Sequence, residues 1–250
     1  MTTIWLYTIL SVLAISLVSF LGVFFMALNV DRLRRVLLFL VSFAAGSLLG
    51  DVFLHLLPEL TEAGGKIISY SLVILLGILL FFILEKILYW RHCHIPTTED
   101  HPHPLGMNNL IGDGLHNFID GLIIAGSYLV SPALGLATTL AVFLHEIPQE
   151  IGDFGILIHA GYTKGRAIFY NFISALAALV GAVVAILLTK QVEQTEGYLV
   201  ALTIGGFLYI ATADLIPELK KESGLGKSIW QLVSLLAGIG VMALLLLLEK

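Results

Sequence analysis

The chain has 250 residues, of which 58% are hydrophobic and only 12% are charged, and its mean hydropathy is +0.97. A soluble domain has about 45–50% apolar and about 25% charged residues, so this composition excludes a soluble protein and predicts one built into a lipid bilayer. The net charge of −5, from 13 basic and 18 acidic residues, excludes a nucleic-acid-binding surface. The single cysteine, Cys93, cannot form an internal disulfide.

Eight runs are long and apolar enough to cross the bilayer as helices, for which about 20 mainly apolar residues are needed. They predict an all-α integral membrane protein with eight transmembrane helices in one polytopic domain, residues 1–250. The first run lacks a basic start and a small-residue cleavage site, so we interpret it as a permanent span. Spans 1 to 8 cover residues 4–28, 36–58, 67–90, 107–130, 133–159, 166–189, 197–217 and 228–248.

The basic residues orient the chain, because cytoplasmic loops of membrane proteins are enriched in Lys and Arg. Only Lys66, Lys190 and Lys250 fall on the side of the even-numbered connections and the C-terminus. We therefore expect both termini on the non-cytoplasmic side of a cytoplasmic (plasma) membrane. The other basic residues follow spans 1, 3, 5 and 7: Arg32, Arg34, Arg35, Lys86, Arg91, Lys164, Arg166, Lys220, Lys221 and Lys227.

The longest predicted connection, residues 91–106, faces the cytoplasm and is rich in histidine. Such tracts bind metal ions loosely, and a proline-stiffened linker is the alternative interpretation. Its histidines are His92, His94, His101 and His103.

Spans 2 and 7 end in related sequences, FLHLLPEL and IATADLIPEL, in which His55 corresponds to Asp214. If spans 1–3 and spans 6–8 are repeats, the two-helix insert between them makes the repeats run in opposite senses through the membrane. Inverted repeats are an architecture of transporters, and spans 4 and 5 would lie at their centre. Four glycines are predicted to allow close helix packing in these spans: Gly46, Gly50, Gly205 and Gly206.

Spans 4 and 5 each carry a polar face. Span 4 contains GDGLHNFIDG, whose polar residues fall within an arc of about 100° of a helix. Span 5 contains LHEIPQEIGD, where Pro148 is predicted to bend the helix. The polar residues are Asp113, His116, Asn117 and Asp120 in span 4, and His145, Glu146, Gln149, Glu150 and Asp153 in span 5.

Five carboxylates therefore lie in two spans that contain no Lys or Arg. Each costs on the order of 2.5–3.5 kcal/mol at a membrane centre, so the sum is on the order of 12–17 kcal/mol as an upper figure. A cation must compensate, and either protons or metal ions would serve. Two imidazoles with carboxylate and amide oxygens favour zinc, iron(II), manganese or a similar first-row ion over calcium or magnesium. The alternative, hydrogen bonds that merely join helices, suits an isolated polar residue better than nine on two spans.

Further polar residues in the spans are candidate steps of a transport pathway, with hydrogen bonding between helices as the alternative. They are Asp51, His55, Asp113, Glu150, Asp153 and Asp214.

These motifs resemble those of the ZIP (Zrt-, Irt-like protein) metal transporters. HNFIDG matches the family's HNFxDG, HEIPQE closely matches its HExPHE signature, and span 2 contains the GD…HLLPE pattern. The resemblance implies a 3+2+3 helix arrangement, frequently a homodimer, that moves zinc or a related divalent metal toward the cytoplasm through a binuclear centre. Carried over by position, the primary metal would be held by His116, Asp120, His145 and Glu146, and a second metal would face Asn117, Asp120 and Glu146.

Gln149 departs from the signature, which has His at that position. A neutral amide is a weaker ligand and has no proton to exchange. Span 6 carries no carboxylate, and its polar candidates are Asn171 and Ser174. We therefore expect one strong metal site and one weaker one.

The predicted function is gradient-driven transport of a divalent transition metal, with no enzymatic activity and no organic cofactor. Zinc is the expected cargo, and iron, manganese and cadmium are alternatives. An intramembrane metal-dependent hydrolase is the competing hypothesis, since HEIPQE begins like the HExxH zinc motif. Against it, Gln149 replaces the second His and Pro148 is expected to interrupt the helix. A metal sensor or a passive channel on the same fold is a third hypothesis.

Overall fold

The computed structural model describes residues 2–21, 30–62, 67–90, 105–189, 195–221 and 224–248. Within these ranges nearly every residue is helical and no strand occurs, so the predicted all-α fold is confirmed. The predicted loop histidines lie outside the described residues: His92, His94, His101 and His103.

The α-helices of the described part are numbered here in chain order. Two π-helical turns, Val52–Leu56 and Ile210–Leu215, join α2 to α3 and α9 to α10. The helices are α1 Thr2–Ser16, α2 Val30–Asp51, α3 Leu57–Glu62, α4 Ile67–Trp90, α5 Leu105–Val130, α6 Pro132–His159, α7 Lys164–Ala175, α8 Ala177–Thr189, α9 Thr195–Tyr209, α10 Ile216–Lys220 and α11 Leu225–Leu245.

Six segments of the described chain are long and apolar enough to cross a membrane, which is the pattern of a multi-pass membrane protein. Helices α5 and α6, which correspond to spans 4 and 5, have 26 and 28 residues but are not among the six. Their polar faces lower their mean hydropathy. The six segments are Thr3–Phe20, Val36–Thr61, Ile67–Lys86, Lys164–Leu188, Gly197–Lys220 and Leu225–Leu245.

Helices α5 and α6 pack against each other at the centre of the fold. Helix α5 packs on α7, α8 and α9, α6 packs on α2, and α1 contacts both central helices. The turn between them is short, because the Ser131 side chain caps α6 by accepting the N–H of Leu134 at 3.1 Å and Pro132 follows at the first helical position. This antiparallel pair places the two polar faces against each other.

The expectation that Pro148 interrupts span 5 is wrong, because α6 runs without a break from Pro132 to His159. A proline removes one backbone N–H, but packing against neighbouring helices stabilises a membrane helix through such a defect. The helix ends beyond His159 at Gly161, whose φ of +89° lets the N–H of Tyr162 reach the carbonyl of Leu157 at 3.0 Å.

Glycines bring α2 and α11 into backbone contact. A Cβ atom added at Gly46 would lie 2.0 Å from the carbonyl oxygen of Leu235. In the opposite direction, a Cβ atom at Gly238 would lie 2.2 Å from the carbonyl oxygen of Phe43. No side chain fits at either position without moving a helix.

Helices α4 and α9 make the equivalent contacts. A Cβ atom at Gly205 would lie 2.2 Å from the carbonyl oxygen of Ile74, and one at Gly77 would lie 2.7 Å from that of Leu202. Gly205 is as far along the chain from Gly46, and Leu202 from Phe43, as Asp214 is from His55. The contacting positions therefore correspond in the two related spans.

The predicted packing role of the four glycines is therefore confirmed. Besides Gly46 and Gly205, a Cβ atom at Gly50 would lie 2.8 Å from Met242, and one at Gly206 would lie 2.6 Å from the Phe81 ring.

We predict that Gly238→Ala destabilises the protein, whereas Gly240→Ala in the same helix does not. A methyl group at position 238 overpacks a backbone contact, which costs about 1–3 kcal/mol, while one at position 240 meets no atom within 4 Å. Thermal unfolding in detergent checks this, and equal melting temperatures for the two variants would contradict the backbone contact.

Candidate metal centre

Four side chains of α5 and α6 converge at the middle of these helices. His116 and Asp120 stand one turn apart on α5, and His145 and Glu146 are neighbours on α6. One ligand atom from each lies within 4.8 Å of all the others. The His116 side chain is 15% exposed and the other three are at most 1% exposed, so the group is almost closed to solvent.

The distances between these atoms match a metal coordination sphere. His145 Nε2 lies 3.3 Å from Asp120 Oδ2, 3.6 Å from Glu146 Oε1 and 3.3 Å from His116 Nε2. His116 Nε2 lies 3.6 Å from Asp120 Oδ2 and 3.5 Å from Glu146 Oε1. A tetrahedral ion with bonds of about 2.0–2.1 Å holds its ligands about 3.3–3.4 Å apart. Direct hydrogen bonds would be about 2.7–3.2 Å, which is shorter than all five separations.

Hydrogen bonding fixes the His145 ring for this arrangement. Its Nδ1 lies 3.2 Å from the carbonyl oxygen of Ala141, which can only accept, so Nδ1 carries the hydrogen. The lone pair of Nε2 then faces the other ligands. Metal-binding histidines are usually oriented in this way by a partner of the second ring nitrogen.

The two carboxylates of the group lack hydrogen-bond partners in the described part of the chain. Both side-chain oxygens of Asp120 and both of Glu146 are buried and have no hydrogen-bond partner among the described residues. The aromatic rings of Phe81 and Phe207 pack edge-on against the two imidazoles, with centroids 5.7 and 6.1 Å away. A buried, unpaired carboxylate is costly, so the group is suited to a cation.

The two predicted amide ligands lie beside the group. Asn117 is buried, and its Nδ2 donates to Asp113 Oδ1 at 2.8 Å. Gln149 Nε2 lies 3.5 Å from the same oxygen atom. The nitrogen atoms of both amides thus face Asp113.

Polar contacts continue along α5 and α6 beyond Asp113. The Asn171 amide donates to Glu150 Oε2, and Asn109 Nδ2 donates to Asp153 Oδ1 at 3.0 Å. All of these residues lie on the side of the four ligands that ends at the N-terminus of α5 and the C-terminus of α6.

The other predicted pathway residues lie outside the four-residue group. Asp51 is buried at the end of α2, and His55 in the first π turn contacts the Met242 carbonyl oxygen at 2.9 Å. Asp214 is exposed in the second π turn. His55 and Glu59 line a cavity of about 950 Å³ at the opposite end of α5.

Sequence reasoning missed several polar partners. It gave no role to Asn109, and it did not foresee that Ser174 donates to Asp113 or that Tyr209 donates to Glu85. The scarcity of polar residues in span 6 was the one signal that pointed to Ser174.

A helical, multi-pass membrane protein with a buried group of two imidazoles and two carboxylates belongs to the class of membrane proteins that handle metal ions. The family model described as "ZIP Zinc transporter" matches residues 2–106 and 94–246. The chain belongs to this family, which confirms the resemblance found in the motifs.

Relatives of this chain also carry the names of zinc transporters. The chain is 41% identical to "Zinc transporter ZIP13" of Pongo abelii, over 82% of this chain and 65% of that protein. It is 38% identical to the protein of the same name from Mus musculus, over 86% of this chain and 70% of the relative. "Zinc transporter SLC39A7" of Mus musculus is 29% identical over 99% of this chain and 71% of its own length.

We predict that zinc raises the melting temperature of the purified protein and that His145→Ala abolishes this effect. A ligand that binds only the folded state stabilises the protein by about 2.7 kcal/mol when its concentration is 100 times Kd. Ser127→Ala is the matched control, because the Ser127 hydroxyl is buried and donates only within α5, at 3.1 Å to Ile123. Zinc stabilisation of His145→Ala equal to that of the control would contradict the assignment of the ligand.

Proposed function

We propose that this chain transports divalent transition-metal ions across the membrane toward the cytoplasm. Zinc is the principal cargo, and iron, manganese and cadmium are alternative cargoes. The observation that carries the proposal is the set of five separations of 3.3–3.6 Å among the four ligand atoms, which fit one tetrahedral ion. The relatives' names, which are those of zinc transporters, support it.

The polarity of the two halves of α5 and α6 supports a route. Toward the N-terminus of α5, the centre is followed by Asp113, Glu150 and Asp153. Toward the turn between the helices the buried residues are mostly apolar, including Ile124 and Val142. With the orientation predicted from the basic residues, the polar half faces the cytoplasm and serves as the exit.

The large cavity serves as the entrance in this proposal. It lies at the non-cytoplasmic end of α5, and His55 and Glu59 offer ligand atoms to an arriving cation. Asp51, buried at the end of α2 one turn before His55, would be the next step toward the centre. Asp214 would bind ions that leave the centre on the side opposite to the cavity.

We further propose the inverted-repeat arrangement of spans 1–3 and 6–8 around spans 4 and 5. Its support is the similarity of two helix pairs. Helix α2 packs on α11 and α9 packs on α4, in both pairs through glycines at corresponding positions. Both π turns also precede a proline at the same distance. Alternating access in such folds is largely a movement of one helix group against another around a fixed site.

Other properties stay predictions from the sequence and from the family resemblance. They are the homodimer, the weaker second metal site beside Asn117, the plasma-membrane location with both termini outside, and loose metal binding by the loop histidines. The hydrolase hypothesis has less support, because the amide nitrogen of Gln149 faces Asp113 and the relatives are named as transporters.

We predict saturable zinc uptake by vesicles that contain the purified protein, and its loss in His145→Ala and Asp120→Ala. Each variant removes one of four ligands from a centre that every ion must pass. Radioactive zinc uptake is measured beside Ser127→Ala as the control for folding and insertion. Uptake that rises linearly with zinc would indicate a channel, and hydrolysis of peptide or lipid without flux would favour the hydrolase.

We predict that Gln149→His shifts selectivity toward zinc over manganese, since an imidazole replaces an amide and suits zinc better. Competition between the two metals during uptake measures the shift. Gln231→His is the matched control, because Gln231 donates to the Leu219 carbonyl oxygen at 3.0 Å, away from the centre. An unchanged preference would mean that position 149 faces away from the ion.

A further inference from the structure

Both hydrogen atoms of the Asn117 amide are occupied by one residue. Its Nδ2 lies 2.8 Å from Asp113 Oδ1 and 3.1 Å from the Asp113 carbonyl oxygen. A primary amide has only two hydrogens to donate, so Asp113 determines which way the group points. The oxygen atom of the amide is left on the opposite side.

Within the described ranges that oxygen atom has no hydrogen-bond partner. Asn117 Oδ1 is buried and accepts no hydrogen bond from any described residue, while the residue as a whole is 0% exposed. Burying a carbonyl oxygen without a donor is unfavourable, and a cation beside it would remove this cost. His116, the next residue along α5, already belongs to the four-ligand group.

The Asp113 carboxyl group is itself held from three helices. Ser174 of α7 donates to its Oδ2, and Gln149 of α6 approaches its Oδ1, while Asn117 belongs to its own helix α5. Both oxygen atoms of Asp113 are therefore engaged by donors. This leaves the carboxyl group in the role of an acceptor for two amides and a hydroxyl.

The arrangement does not depend on a charge on Asp113. If Oδ2 carried a proton, it would donate to Ser174 Oγ, which can in turn donate to the Asn171 carbonyl oxygen at 2.9 Å. In either form Oδ1 still accepts from Asn117. The feature that matters is an acceptor at this point of α5.

We propose that Asp113 is a positioning residue that turns the amide oxygens of Asn117 and Gln149 toward the transported ion and so sets the metal preference of the centre. The inference rests on the proposed transport function. Amide oxygens are hard donors, which favour manganese relative to zinc or cadmium. Without Asp113 the amides can rotate, and the centre keeps its imidazoles but loses oriented oxygen donors.

The test compares Asp113→Ala with Asp113→Asn in the purified full-length protein. The Asn side chain keeps an acceptor oxygen for Asn117 and can direct its NH₂ group to Ser174 Oγ, whereas Ala removes the acceptor. We expect Asp113→Ala to weaken manganese binding about 10-fold or more, the lower bound typical for groups that orient metal ligands. Zinc binding should change less, and Asp113→Asn should restore the wild-type ratio of the two dissociation constants in calorimetric titrations.

A double mutant separates positioning from general structure. If Asp113 acts through the amide of Asn117, Asp113→Ala should have little further effect on manganese binding in an Asn117→Ala background. Ser127→Ala on the same helix serves as the control. Asp113→Asn as harmful as Asp113→Ala, or a full Asp113→Ala effect in the double mutant, would overturn the proposal.

A second variant covers failure of Asp113→Ala to fold. Ser174→Ala removes the hydroxyl that holds Asp113 Oδ2, and we expect a smaller shift of the manganese-to-zinc ratio in the same direction. No shift would overturn the proposal as well. Wild-type protein that binds neither metal would instead refute the proposed function, so the two failures are distinguishable.

Discussion

The structure depends on one electrostatic constraint: lone pairs of two imidazoles and two carboxylates face each other in the membrane interior without a positive partner. The sequences of α5 and α6 contain no Lys or Arg, and the oxygen atoms of Asp120 and Glu146 accept no hydrogen bond from the described residues. Such a group is stable only if something cationic enters it. For the proposed transport, such a group would favour the entry of a metal ion.

The surrounding helices make this constraint tolerable. Pairs α2–α11 and α4–α9 are packed backbone to backbone through glycine, so each pair resists deformation as a unit. The central helices contact members of both pairs, since α6 packs on α2 and α5 packs on α9. A relative shift of the two pairs would therefore move the helices that carry the ligands.

Sequence patterns predicted the parts of this structure that follow from helical periodicity. His116 and Asp120, one turn apart, had to share a face, and the antiparallel turn at Ser131 had to bring that face to α6. The directions of the amides could not be predicted, because Asn117 is oriented by Asp113 and Asp113 by Ser174, a residue from a distant part of the chain.

The continuity of α6 also escaped sequence reasoning, for a physical reason. Pro148 predicts a break, yet packing keeps α6 continuous. The polar residues that create the centre also lower the hydropathy of α5 and α6, so mean hydropathy selects only the other six segments of the described chain, although the sequence pattern had predicted spans 4 and 5 as well. The functional helices of a membrane protein are in this sense the hardest to recognise by their apolar character.

The two π turns have a geometric consequence for the helices that contain them. A π turn accommodates one residue more than an α turn, and one residue corresponds to about 100° of rotation. The segments beyond Val52–Leu56 and Ile210–Leu215 are thus set at an angular phase that an uninterrupted helix would not give. Glu59 lines the cavity because of the number of residues that precede it in the helix as well as because of its chemistry. Loss of one residue upstream during evolution would rotate the Glu59 carboxylate to a different direction.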